Sequence, residues 1–327
     1  MSSRVISFLS RETSRYLYFI LIRASHQKIL RLMIPRYTRG FIRKIIISPI
    51  VGSYEKKRIL QRVDADTILL ADYPRCGVNW LRMIFATVLN YRETGEFRKI
   101  THEEMLNYCP SIHGHETYRP YHFNGGISFL KTHSHYYPEF KRAIMIYRES
   151  YEAIKSIFTL EKYNLDKLAQ VHRPDLRGND QRNIALSGKK IEGLSAEESF
   201  LLHWSKEYIS HHETWLQAVQ ARPEHFLVIK YEDMVDNCEG LLPEIILFSG
   251  LQSSNLNEKK ISMLSSMYTR SSSNWQTSAD LEFRNRKFNE LSSIICPSEL
   301  KRLDSNLEHR IRKMHHQLDA LRLKLPS

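Results

Sequence analysis

Four short apolar runs punctuate the chain after residue 62, each ending in polar or turn-forming residues. They are residues 67–71 (TILLA), 128–131 (SFLK), 143–147 (AIMIY) and 226–230 (FLVIK). Runs of four or five apolar residues without alternation predict strands buried on both faces. Between and after them lie stretches of helical period, at 79 to about 90, 150–163, 199–219 and 239–248. Alternating strands and helices predict an α/β fold with a mostly parallel central sheet flanked by helices. Such sheets bind ligands beyond the C-terminal ends of their strands. Residues 172–198 are polar and hold Gly178, Gly188 and Gly193, which predicts a long loop able to act as a lid. A basic helix over 299–323 closes the chain.

Charge changes this picture at one end only. The 327 residues carry 48 Lys+Arg against 36 Asp+Glu, a net +12. Residues 1–62 hold fourteen of the basic residues and two acids, Glu12 and Glu55, so the whole excess lies there. The expected division is therefore a basic, helical N-terminal arm, 1–62, and a neutral domain, 63–327. Within the arm, Tyr16, Phe19, Ile20, Ile29, Leu30 and Met33 suit one side of a helix. Apolar clusters alternating with Lys/Arg fit an anionic membrane surface. The plainer alternative is a helix packed on the domain with its basic side in water. No nucleic-acid fold signature accompanies the arm, so nucleic acid is not an expected partner.

Hydrophobic residues make up 42% of the chain and charged ones 26%, which excludes a disordered tail or a membrane bundle. The early apolar runs, 17–22 and 45–51, fall far short of the roughly 20 residues of a spanning helix. Cys76, Cys109, Cys238 and Cys296 are widely separated and form no C-x-x-C pair. That argues against a zinc ribbon or a disulfide scaffold and for a reducing compartment. The expectation is a cytoplasmic protein, peripheral to a membrane if the arm binds one. His113/His115 and His133/His135 are H-x-H pairs with no evident third ligand, so no metal is expected. Oligomeric state is not legible.

The strand ends carry the candidate chemistry. After the first comes Tyr73-Pro74-Arg75-Cys76-Gly77-Val78-Asn79-Trp80-Leu81. A glycine loop entering a helix offers backbone N–H groups to an anion, Arg75 adds a cation and Trp80 a flat ring. An ordinary βα turn with Trp80 in the core is the plain alternative. The second strand end gives Lys131-Thr132-His133, with His133 suited to take a proton from a hydroxyl. The third gives Arg148 and, eight residues on, Ser156, which suit a second phosphate unless Arg148 pairs with Glu149 or Glu152. Lys230-Tyr231-Glu232-Asp233 follows the fourth.

Taken in order, this set resembles the sulfotransferases that use 3′-phosphoadenosine-5′-phosphosulfate (PAPS). The family's first loop reads P-K-S-G-T-T-W-L, against Pro74 to Leu81 here. Its Arg with Ser eight residues later is matched by Arg148 and Ser156, and the tyrosine of its Y-E-D motif by Tyr231. Its late R-K-G motif has a poorer counterpart in Arg284-Asn285-Arg286. The resemblance covers about 66–305 and excludes the arm. It implies the P-loop-NTPase-like sulfotransferase fold and transfer of a sulfuryl group from PAPS to an acceptor hydroxyl on a carbohydrate, lipid, phenol or alcohol. It further implies that Arg75, Cys76, Gly77, Val78, Asn79 and Trp80 hold the 5′ end. Arg148, Ser156 and Arg284 fall to the 3′ phosphate, and Trp80 and Tyr231 to the adenine. His133 is then the base, while Lys131 and Arg75 stabilise charge, without a metal. An aromatic approach, including Tyr108, His113, His115, Tyr118, Tyr121, His122 and Phe123, precedes Lys131.

The loop departs from the family at Arg75, where lysine is usual, and at Cys76 and Val78, where hydroxyl residues are usual. Arginine stays ionised and can still neutralise a phosphate leaving group. Two rival readings compete. A P-loop nucleotide kinase or NTPase needs a G-K-[ST] loop, which is missing. A catalytically weak membrane-surface adaptor would use the arm and keep the domain as a relic.

Overall fold

The computed structural model describes residues 60–61, 63–112, 128–170, 191–251, 256–268 and 288–322. Ala65–Ser327 forms one compact unit. Apart from residues 60–61, the basic arm, with the membrane-surface expectation attached to it, lies outside the described residues. So do most of the 172–198 loop, the aromatic approach from 113 to 127, and Arg284. No described helix is long and apolar enough to cross a membrane.

Four strands form the sheet: β1 (Thr67–Asp72), β2 (Ser128–Thr132), β3 (Arg142–Tyr147) and β4 (Phe226–Lys230). Their order is β2-β1-β3-β4, and every pairing is parallel. All six residues of β1 are buried, as an apolar run between two neighbours and two helical layers requires. The register sets Asp72 beside Ile146, Ala71 beside Thr132 and Tyr147 beside Lys230. All four strands therefore end along one edge, and the residues following them share it.

Helix α1 (Val78–Thr94) follows β1, and a short α2 (His102–Tyr108) precedes β2. Its Thr101–Glu104 capping box is the local reason α2 forms. Helix α3 (Ser150–Gln170) follows β3, and α4 (Ala196–Ala221) leads to β4. A second capping box, Ser195 with Glu198, starts α4 three residues before the expected Ser199. Helix α5 (Tyr231–Ser249) leaves β4 with no intervening loop, so it begins well before the expected residue 239. Asn237 is non-helical within it (φ −147°, ψ 61°) and its side chain accepts from Gly240 N–H, so the element is two helical pieces across a kink. Helix α6 (Glu258–Met267) is capped by Asn257. The single closing helix expected over 299–323 is two, α7 (Pro297–Leu303) and α8 (Ser305–Leu321). Asp304, with φ −157°, breaks the run and its carboxylate caps Leu307 N–H at 2.9 Å.

The turn from β1 into α1 is built on two left-handed residues. Arg75 has φ 75° and Gly77 has φ 105°. A Cβ on Gly77 would stand 2.4 Å from Cδ2 of Tyr231, so the loop and the start of α5 touch at a point only glycine allows. On the other side, Tyr73 meets α4 through edge-on contacts with Tyr208 at 5.0 Å and His211 at 5.6 Å. Its hydroxyl donates to the Trp204 carbonyl at 3.3 Å. The Tyr208 hydroxyl in turn donates to the Arg148 carbonyl, tying α4 to the end of β3.

His211 and His212 lie inside this aromatic seam, 2% and 0% exposed. Burial, and then His212, hold His211 well below the usual histidine range. Burial pushes His212 down to about 3. The fold thus favours the neutral rings, whereas the unfolded chain takes up protons near pH 6.5. The contribution of His212 to stability is complete above pH 6.5 and is lost as pH falls toward 3, and that of His211 has the same sign. Urea denaturation should show stability dropping by about 1 kcal/mol per pH unit per buried histidine between pH 6 and 4. The slope should be shallower in His212→Asn, which keeps a donor for the Tyr208 carbonyl. A second expectation concerns Gly77. Gly77→Ala should cost about 2–4 kcal/mol, from overpacking against Tyr231 and from the left-handed backbone. In a Tyr231→Ala background the same change should cost only about 1–2 kcal/mol, the backbone share. Chemical denaturation of the four proteins measures this coupling.

Candidate active site

The shared edge of the sheet gathers most of the residues singled out from the sequence. Arg75 lies exposed on the loop after β1, and its Nε donates to Ser156 Oγ on α3 at 2.9 Å. Ser156 thus meets the loop cation directly. Arg148 lies 9% exposed at the end of β3. One of its terminal nitrogens donates to the Arg75 carbonyl at 3.2 Å, and its guanidinium stands 4.7 Å over the Tyr231 ring. Glu152 is a distant ion partner at 3.9 Å, and Glu152 pairs more closely with Lys155, at 2.5 Å. The anticipated Arg148–Glu152 pairing is present but long. Arg148 Nε is buried without a hydrogen bond, a donor that an incoming oxygen would satisfy.

Lys131 rises from β2 and donates to Asn79 Oδ1 on the first turn of α1 at 3.4 Å. Burial holds its ammonium below the usual lysine range, and the nearby Asp72 charge partly offsets this. Asn79 Oδ1 also accepts from Arg82 at 2.9 Å. Arg82 is 2% exposed and donates further to the Cys109 carbonyl at 2.7 Å. Arg82 was not singled out from the sequence, although its spacing of three from Asn79 on one helix was a usable signal.

The loop itself spends some of its donors internally. Cys76 N–H bonds the Tyr73 carbonyl at 3.1 Å, and Trp80 N–H bonds the Gly77 carbonyl at 3.0 Å. Val78 N–H bonds Asp72 Oδ2 at 3.3 Å. Gly77 and Asn79 supply the remaining N–H groups at the start of α1, where a helix has no internal acceptors. The Cys76 side chain is buried, and burial with the adjacent Asp72 charge keeps its thiol well above its ordinary range. It faces the core and is a neutral thiol. Val78 is likewise buried. Trp80 is 6% exposed and meets Tyr231 edge-on at 6.3 Å, while its Nε1 is buried without a hydrogen bond.

His133 follows β2 and turns its Nδ1 toward β1. Nδ1 is 3.0 Å from the Asp72 carbonyl oxygen and 2.7 Å from the Asp72 carboxylate. Asp72 is the second residue here that the sequence does not mark, standing there only as the polar residue after an apolar run. Tyr108, from the aromatic approach, donates to Glu93 at 2.8 Å, and burial followed by this bond raises it to about 12. Among the described residues no group of three or more His, Cys, Asp or Glu is placed to hold a metal ion.

One face of this site presents cations and N–H donors, and one side presents a histidine backed by a carboxylate. That combination can bind an anion and take a proton beside it. Comparison with known proteins agrees in kind. A family model for the sulfotransferase domain matches residues 65–291. Three solved structures are similar at low identity. One, titled as a crystal structure of mouse sulfotransferase SULT7A1 complexed with PAP, shares 16% identity. It covers 81% of this chain and 95% of that chain at a TM-score of 0.40. Retinol dehydratase in complex with androsterone and inactive cofactor PAP shares 13%, covering 84% and 87% at 0.44. Retinol dehydratase in a complex with retinol and PAP shares 13%, covering 84% and 88% at 0.43. No curated protein matches. The family model spans well over half of the sequence, including every strand and the whole loop from Tyr73 to Leu81, and by it this chain belongs to the sulfotransferase domain family.

Proposed function

We propose that the chain transfers a sulfuryl group from PAPS to an acceptor hydroxyl, with His133 as the base. The observation that carries this reading is the convergence of Arg75, Lys131, His133 and Arg148 on one sheet edge around a glycine loop. The buried, unbonded Arg148 Nε supports an anionic ligand, as do the Gly77 and Asn79 N–H groups. In this reading Arg148 and Ser156 hold the 3′ phosphate together with Arg284, which lies outside the described residues. Tyr231 and the rim of Trp80 border the adenine. Cys76 and Val78 point their side chains inward, so they take part through the shape of the loop. Arg75 and Lys131 stabilise the charge that gathers on the transferring group and on the phosphate it leaves. Displacement in line needs little beyond positioning and electrostatics.

The acceptor carries a hydroxyl that can reach His133. A sugar, a lipid alcohol or a phenol fits, and the aromatic approach before Lys131 suits any of them. A basic arm on the same chain would draw the enzyme to an anionic surface, where lipid or glycan acceptors lie.

A thermal-shift comparison tests the reading against the P-loop kinase and adaptor alternatives. Adenosine 3′,5′-bisphosphate should stabilise the chain and ATP–Mg²⁺ should not. Stabilisation by ATP–Mg²⁺ alone selects the kinase, and stabilisation by neither selects the adaptor. A screen of sugars, lipids and phenols with ³⁵S-labelled PAPS should then yield a labelled product. His133→Ala should keep adenosine 3′,5′-bisphosphate binding and lose roughly 10²–10⁴ in turnover. Arg148→Ala should weaken the 3′,5′-bisphosphate far more than adenosine 5′-phosphate. Equal losses would remove Arg148 from the 3′ site.

A further inference from the structure

Asp72 ends β1 with a buried carboxylate beside the imidazole of His133. Its Oδ1 lies 2.7 Å from Nδ1, and the residue is 1% exposed. The hydrogen-bond axis of Nδ1 runs to the Asp72 carbonyl oxygen, 3.0 Å away. Oδ1 sits nearer but off that axis, as a charge partner without a hydrogen bond of its own. Oδ2 accepts from Val78 N–H at 3.3 Å, which fixes the rotation of the carboxylate. Nδ1 therefore faces two acceptors. A neutral ring so placed carries its hydrogen on Nδ1 and its lone pair on Nε2. A buried carboxylate oxygen without a hydrogen bond is costly in a resting protein. It becomes favourable once the neighbouring ring turns cationic.

We propose that Asp72 is a positioning residue for sulfuryl transfer. Its backbone oxygen holds His133 in the tautomer that accepts a proton at Nε2, and its carboxylate stabilises the imidazolium that forms. This rests on the reading of His133 as the base. In the transfer, the acceptor oxygen forms a bond to sulfur while the bond from sulfur to the bridging phosphate oxygen breaks. The electron pair of that bond leaves on adenosine 3′,5′-bisphosphate, and the acceptor proton moves to Nε2. The charge on His133 then faces Asp72 across 2.7 Å. Lys131 and His135 flank His133 at the end of the same strand, and His211 faces from α4, and none of these offers a negative charge. The carboxylate stands beside a pocket built for an anion. Removing its charge should therefore slow transfer without loosening the nucleotide, a split that simple disruption of the loop does not produce.

Asp72→Asn is the test, because asparagine has the same shape and keeps an oxygen for Val78 N–H. Turnover of ³⁵S-PAPS, on the best acceptor of the wild-type chain, should fall about 10²-fold. The dissociation constant for adenosine 3′,5′-bisphosphate should stay within threefold or tighten. Turnover within threefold of wild type overturns the proposal, and so does nucleotide binding that falls along with turnover. A second measurement needs neither the variant nor an acceptor. Long-range ¹H–¹⁵N correlation on the ¹⁵N-histidine-labelled chain, with the His133 signals identified by their loss in His133→Gln, should show hydrogen on Nδ1. Hydrogen on Nε2 overturns the proposal even if Asp72→Asn does not fold. A wild-type chain that neither binds the bisphosphate nor transfers sulfate fails earlier, and the proposal falls with the sulfotransfer reading itself. A chain that does both, with His133→Ala inactive and Asp72→Asn active, loses the Asp72 role alone.

Discussion

β1 is buried on both faces between two parallel neighbours, so its chain must leave the sheet abruptly and at the end where ligands bind. Five residues, Tyr73 to Gly77, separate its last residue from the first of α1. Two of these, Arg75 and Gly77, take left-handed backbone. For arginine that conformation costs about 1–2 kcal/mol, and it persists because the surroundings determine it on three sides. Tyr73 is clamped by α4, Gly77 is pressed by Tyr231, and the Arg75 carbonyl accepts from Arg148. The site is consequently a property of the tertiary contacts of three other elements on one turn.

The same constraint explains how a domain of zero net charge can gather several cations at one edge of its sheet. The charges that matter are few and are held by direct partners. Arg75 is tied to Ser156, Lys131 and Arg82 share Asn79, and Arg148 lies over Tyr231. Fixed donors of this kind act on an anion without reorganising, which is worth more than a larger but mobile excess of charge. The +12 of the whole chain resides in residues 1–62 of the sequence. Excess charge of that kind acts at long range and is screened by salt, unlike fixed donors in direct contact with an anion.

Much of this fold is legible in the sequence. All four strands lie where apolar runs stood, because a strand buried on both faces must be apolar throughout. Their order in the sheet was not legible, since pairing depends on which crossovers pack and the sequence marks only the elements. Helix starts were read late wherever no apolar period announced them. Tyr231 begins α5 with no loop before it, and Asn237 then breaks the period that a continuous helix would show. The short helix after Thr101 and the one after Asn257 were missed, although each carries a capping side chain. Within the site, His133 and Arg148 were legible as chemistry at strand ends. Asp72 was not, because an aspartate before Tyr-Pro reads as ordinary turn punctuation. Only the parallel pairing of β1 with β2 reveals that it faces a histidine sixty-one residues away.

The loop's departures from its family then become mutually consistent. A hydroxyl at position 76 would have to face the core, where Tyr208, Arg148 and Asp72 already crowd, and a small neutral thiol suits that place. Val78 contributes its N–H to Asp72 and its side chain to the core, so its lack of a hydroxyl removes nothing from that bond. Arg75 is the substitution with reach. Its planar fork is longer than an ammonium stem and always charged, and here it spans from the loop to Ser156 on α3 while its own carbonyl anchors Arg148. A lysine could neutralise the same oxygen on a ligand, but as a single point charge it could not present a second N–H to the ligand while one remained on Ser156 with the same rigidity. The carboxylate at Asp72 is compatible with this arrangement because it is turned away, toward His133 and the base of α1. In the proposed reading, arginine in front of the loop and aspartate behind it divide the turn into an anion-facing side and a proton-handling side. The left-handed backbone between them keeps the two apart.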